Sequence, residues 1–163
     1  TRGPAISSFL SIVRGCQDVM AMLVMGGVFE RHPNLSIVCA EADAGWVPHF
    51  MYRMDHAFDR HRYWLTGSAI TRRPSEYFRE HVYTTFQDDW VAFQVKDLCN
   101  IRRLMWANDF PHSDSTWPHS LQLVARDLAD VPASTRAKVV CENVAKLYDF
   151  PIPTHSRTAL SAT

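Results

Sequence analysis

The chain has 163 residues, 47% hydrophobic and 21% charged, with 17 basic residues against 17 acidic ones. That length suits one domain with a sizeable core and is short for two. The neutral balance argues against a nucleic-acid or membrane-surface partner, both of which favour a basic excess.

Cys16, Cys39, Cys99 and Cys141 are widely spaced, with no CxxC pair. Free thiols in a reducing cytoplasm fit this pattern best. No secretory leader and no apolar run long enough to span a bilayer are expected. The first residue is Thr1 rather than Met, and Ile6–Val13 is already apolar. A tagged, processed or truncated start would each produce this. At the other end, Pro151–Thr163 is polar, carries two prolines and lacks periodicity, as a poorly ordered tail does.

From Cys16 to Arg31, Val19, Leu23, Val24, Val28 and Phe29 recur at helical spacing. The His32-Pro33-Asn34 step ends that helix, because the residue before proline is pushed out of the α region. Leu35–Ala40 is a nearly continuous apolar run, the pattern of a strand buried on both faces. After the polar cluster Glu41–Gly45, a helix is expected with Trp46, Val47, Phe50, Met51, Met54, Ala57 and Phe58 on one face. Tyr63–Pro74 reads as a long connection, Pro74–Arg79 as a short helix and His81–Phe86 as a second strand. A helix should start at Asp88-Asp89 and run to about Leu98. Leu104–Ala107 reads as a third strand and Asn108–Thr116 as a polar loop. One further helix is expected near Trp117-Pro118, capped by Ser115 or Thr116, and another from Ser134 to about Tyr148. Three β-to-α units in succession predict an α/β fold with a parallel sheet.

Ligands of parallel α/β folds bind beyond the carboxyl ends of the strands. Glu41-Ala42-Asp43, Gln87-Asp88-Asp89 and Asn108–His112 occupy those positions. Asp109 is the leading candidate. A carboxylate there can bind a divalent cation or take a proton from metal-bound water, or it can form a loop as an Asx residue. Glu41 and Asp43 are either site groups or caps of the next helix, and Asp88 and Asp89 read as helix-start charges. His112 can bind a substrate carboxylate or transfer a proton near neutral pH, or sit on a surface loop. His49, His56 and His61 do not match the i,i+4 spacing of HExxH, and Walker, GxGxxG and GxSxG motifs are missing. Trp46, Trp106 and Trp117 are pocket candidates, although core packing suits the first two.

The string RRLMWANDFPHSDSTWP, Arg102–Pro118, resembles the final-strand region of the amidohydrolase-related family, in which an apolar strand leads to (S/T)D(Y/F)PH. GVFERHPNLSIVCAEADAGWVPHFMYRMD (Gly27–Asp55) resembles that family's sixth βα unit. RPSEYFREHVYTTF (Arg73–Phe86) and ENVAKLYDF (Glu142–Phe150) are similar to stretches near its carboxyl terminus. The resemblance covers roughly Val19–Phe150.

It implies a metal-dependent (β/α)₈ TIM barrel of the aminocarboxymuconate-semialdehyde decarboxylase-like kind, of which residues 1–150 would be the C-terminal part, about three βα units, followed by the tail 151–163. It further implies a hydrolase or non-oxidative decarboxylase of a small carboxylated or cyclic compound. The family's last-strand aspartate falls on Asp109, making it a metal ligand and proton-transfer group, with His112 and Glu41 toward substrate. One divalent ion, zinc or manganese, is implied, with most ligands upstream of this chain. Many members carry a histidine where this chain has Glu41, so that histidine's role does not transfer. The family's first-strand HxH and fifth-strand histidine have no counterpart, which predicts that this polypeptide alone is inactive. The competing expectations are a non-catalytic barrel remnant acting as a binding module and a flavodoxin-like binding domain. The partners expected are a small-molecule substrate and, for the full-length form, a second copy in a homodimer; nucleic acid and membrane are not, and the location expected is cytoplasmic.

Overall fold

The computed structural model describes residues 3–65 and 69–152. From residue 153 on, the polar tail lies outside the described residues.

The fold begins with a 3₁₀ turn, Ala5–Ser8, that runs directly into α1, Phe9–Met25. The sequence predicts the helix only from Cys16, and no apolar run of membrane-spanning length. The helix instead carries through Arg14, Gly15 and Asp18, so that Ala5–Met25 is 21 residues long and apolar enough, by length and composition, to cross a membrane. Met20 and Val24 of α1 are nonetheless buried in the protein core. Gly26 closes α1, and Gly27, at φ +69°, turns the chain into the short helix α2, Val28–Arg31. The expected single helix is therefore two, because the left-handed residue breaks the backbone ladder.

Strand β1 is Ile37–Cys39. Helix α3, Val47–His61, buries Val47, Met51, Met54 and Phe58, the predicted stripe. Its second residue is Pro48, tolerated there because a first-turn amide has no intrahelical partner. Helix α4, Pro74–His81, leads straight into β2, Val82–Phe86. Helix α5 is only Trp90–Gln94; a 3₁₀ turn, Lys96–Leu98, stands in place of the predicted continuation to Leu98, and a second turn, Ile101–Arg103, leads into the next strand. Asn100 caps the second of these turns: its side chain accepts from the Arg102 amide and donates to the Arg79 carbonyl.

Strand β3 is Leu104–Trp106. Helix α6 starts later than predicted, at Ser120, and runs to Asp127. The predicted caps are committed elsewhere: the Ser115 hydroxyl donates to the Asn108 carbonyl at 2.7 Å, and the Thr116 hydroxyl pairs with that of Ser120 at 2.9 Å. The last predicted helix is α7, Ala133–Ala137, joined through a π turn, Lys138–Glu142, to α8, Asn143–Tyr148.

The three strands form one parallel sheet in the order β1-β2-β3. Ile37 pairs with Val82, and Thr84 with Leu104. The central strand is buried along nearly its whole length, which explains its β-branched and aromatic composition. Phe29, Tyr77, Leu104, Leu128 and Val139 are among the fully buried side chains, each worth about 1.5–3 kcal/mol of burial. Parallel strands bring all three carboxyl ends to one rim, and this is the arrangement that assembles the site.

Candidate active site

The rim loops are Ala40–Trp46, Gln87–Asp89 and Ala107–His119. A cleft of about 590 Å³ opens above the strand ends. Glu41, Asp43, Asp109 and His112 line it on the polar side, and Phe9, Ile12 and Val13 of α1 form its apolar wall.

Asp109 and Glu41 face this cleft through unusual backbone. Glu41, Asp43 and Asp109 all have positive φ, at 58°, 53° and 56°. Aspartate tolerates the left-handed region through local hydrogen bonding, while glutamate there costs about 1–2 kcal/mol. Such strain persists only where surrounding contacts enforce it. For Glu41 the amide donates to the Thr85 hydroxyl at 3.0 Å, from the neighbouring strand. For Asp109, Asn108 makes an Asx turn, its side-chain oxygen accepting from the Phe110 amide at 3.2 Å, while the Asp109 carbonyl accepts from the His112 amide at 2.9 Å.

His112 Nδ1 lies 2.9 Å from Asp109 Oδ1. The aspartate side chain is 18% exposed and the imidazole 67%. Glu41, from two strands away, completes a cluster in which one donor atom of each residue lies within 4.8 Å of the others. The three sequence candidates are thus brought together. Two carboxylate oxygens and an imidazole nitrogen are donors that suit zinc or manganese, and their separation fits a shared divalent cation.

Asp43 behaves differently from the expected helix cap. Its carboxylate accepts from the Gln87 amide at 3.4 Å and makes no cap bond to α3. Burial, and next the nearby Asp89 carboxylate, raise the Asp43 carboxyl from its ordinary pKa. The amides just before α3 are taken by Asp89 instead: its Oδ2 accepts from Ala44 at 2.8 Å and Gly45 at 2.6 Å. Oδ1 of Asp89 accepts from Ala92 at 3.1 Å, which is the helix-start role that the sequence predicts. Its second role, binding a loop more than forty residues upstream, left no local signal.

The middle loop also grips the third. Gln87 Nε2 donates to the Asp114 carbonyl at 3.0 Å, and Trp106 Nε1 donates to the Gln87 carbonyl at 3.2 Å. Trp46 and Trp106 pack against the core as expected. Trp117 is exposed and meets Phe110 edge-on at 5.9 Å.

The sequence pattern of the amidohydrolase family matches residues 13–150. Gamma-resorcylate decarboxylase of Rhodococcus jostii (strain RHA1) is 26% identical over 132 residues, an alignment covering 77% of this chain and 37% of that protein. An amidohydrolase of Mycobacterium avium subsp. paratuberculosis K-10 superposes with a TM-score of 0.72 at 20% identity, over 90% of this chain and 36% of that one. A dihydroxybenzoic acid decarboxylase of Polaromonas sp. JS666, crystallised with manganese and the inhibitor 2-nitroresorcinol, superposes with a TM-score of 0.66 at 18% identity. That superposition covers 84% of this chain and 40% of the decarboxylase, so the chain spans well under half of each of these relatives. With the family pattern matched from the core helix α1 to the end of α8, the chain belongs to the amidohydrolase family.

Proposed function

We propose that this chain forms the last three βα units of a (β/α)₈ barrel in a metal-dependent carboxy-lyase or hydrolase acting on a small carboxylated or cyclic compound. The observation carrying this reading is the convergence of Glu41, Asp109 and His112 within 4.8 Å at the carboxyl ends of parallel strands. The decarboxylases among the relatives favour carboxy-lyase chemistry, and the manganese bound by one of them supports a divalent cation.

In this reading residues 1–150 are the partial barrel domain. Asp109, Glu41 and His112 hold the cation together with donors from upstream of this chain. The ion, when bound, polarises a substrate oxygen or activates water. Asp109 holds and moves the reacting proton at its carboxylate. His112 orients that carboxylate through Nδ1, and Phe9, Ile12 and Val13 offer an apolar side of the cleft to the substrate. The isolated polypeptide, with its partial ligand set, is inactive. The same reading gives a cytoplasmic protein with a small-molecule substrate, no nucleic-acid or membrane partner, and a homodimeric full-length form.

Elemental analysis of this chain and of a version extended upstream tests it. Stoichiometric zinc or manganese in the extended protein, lost in Asp109→Ala, is the expected result. A well-folded extended protein without metal would sink the catalytic reading and leave the non-catalytic binding module.

A further inference from the structure

We propose that Asp89 is a positioning residue that holds the loop after β1 from the neighbouring strand's loop and thereby fixes Glu41 beside Asp109 and His112. The proposal rests on the metal-site reading above and adds to it a residue that touches neither metal nor substrate.

Asp89 is only 9% exposed, and both its oxygens are committed. Oδ1 caps α5 through Ala92, which is all that a helix start requires. Oδ2 takes two further amides, Ala44 and Gly45, from a loop that belongs to a different strand. The other end of that loop is pinned by the Glu41 amide on Thr85. Between the two pins stand Glu41 and Asp43, both in the left-handed region, with Ala42 at 2% exposure and Ala44 at 0%. A loop released at one end relaxes toward negative φ, and a change from left- to right-handed backbone at Glu41 swings its side chain away from Asp109.

Gly45 shows how closely the carboxylate is fitted. A Cβ on Gly45 would stand 2.9 Å from Asp89 Oδ1 and 2.9 Å from the Val91 side chain. The absence of a side chain there is what lets the backbone amide reach Oδ2.

The helix cap and the loop clamp separate by substitution. Asp89→Ser retains a good N-cap for α5 but is too short to serve the upstream loop. Gly45→Ala displaces the same contact from the other side and leaves Asp89 intact. Each is made in the upstream-extended protein and compared with its wild type by NMR-detected amide exchange, by Mn²⁺ titration monitored through the EPR signal of the free ion, and by thermal melting.

For Asp89→Ser the expected result is exchange of the Ala44 and Gly45 amides faster by about tenfold or more, the size expected from losing charge-assisted bonds. Mn²⁺ affinity falls by a similar factor, β2 amides remain the more slowly exchanging ones, and the protein still melts cooperatively, several degrees lower because two amides have lost their acceptor. Gly45→Ala should give the same loop and Mn²⁺ pattern. Unchanged loop exchange in Asp89→Ser would overturn the proposal, and so would faster exchange with Mn²⁺ affinity retained. An upstream-extended wild-type protein that takes up no Mn²⁺ fails the metal reading instead, and the clamp is then decided by whether Asp89→Ser shifts the Glu41 and His112 amide resonances together with those of Ala44 and Gly45.

Discussion

Asp109 and Glu41 lie 68 positions apart in sequence, in the loops that follow the two outer strands of the three-stranded sheet, yet their carboxylates approach within 4.8 Å of one another and of His112. Parallel strands end on one side of a sheet, and left-handed backbone at both residues turns the side chains into the shared cleft.

Asp109 should therefore matter more for ligands than for folding. The Asp109–His112 pair is solvent-facing on the imidazole side, so its loss costs at most about 1 kcal/mol. Asp109→Asn is expected to unfold in urea close to the wild-type midpoint while losing about tenfold or more in Mn²⁺ affinity, because a charged donor is replaced by a neutral one. A large shift in the urea midpoint would instead make Asp109 a structural residue.

Asp43 gives a pH prediction of definite sign. Its folded-state pKa is raised by burial and by Asp89, so the folded protein holds this proton more tightly than the unfolded chain. The ionised form weakens folding above the folded pKa, and that penalty disappears as pH falls to the unfolded value. Asp43→Asn should then stabilise the protein at neutral pH by up to about 1 kcal/mol, given partial exposure. The advantage should vanish near the ordinary carboxylate pKa, as urea titrations at several pH values would reveal.

Asn143 is a buried strut. Its Nδ2 donates to the Ile101 and Leu104 carbonyls, both at 2.8 Å, tying α8 to the start of β3. Asn143→Ala leaves two carbonyls without a partner and should destabilise the protein by about 2–4 kcal/mol. Chemical denaturation at neutral pH measures this directly, and a cost under about 0.5 kcal/mol would refute the strut.

The thiols should divide into two reactivity classes. All four cysteines are free. Burial pushes the Cys39 thiol up to about 12, with neighbouring Cys16 contributing, and burial pushes Cys99 up to about 11. Cys16 and Cys141 are partly exposed. Near pH 8 a thiol-reactive dye should label Cys16 and Cys141 in the native protein, and Cys39 and Cys99 only after denaturation. Rapid native labelling of Cys39 would contradict this burial pattern.

The order of strands and helices was written locally. Ile37–Cys39, Val82–Phe86 and Leu104–Trp106 fall inside their predicted runs, and the buried stripe of α3 matches its predicted face, because burial imposes a repeat on hydrophobic residues wherever an element packs on a core. The ND(F)PH segment identified Asp109 for the same reason: a strand end followed by a rigid loop is a continuous piece of chain. Positions that depended on distant partners were not legible. The late start of α6 and the break at Gly27 follow from side-chain bonds and backbone hand that no hydropathy period encodes. The sequence by itself determined which residues could do chemistry and that three strand ends would carry them. The tertiary structure alone decided that Glu41 joins Asp109 and His112, and that Asp89 rather than Asp43 serves the amides before α3. Both depend on hydrogen bonds and distances between strands, which exist only once the sheet has formed.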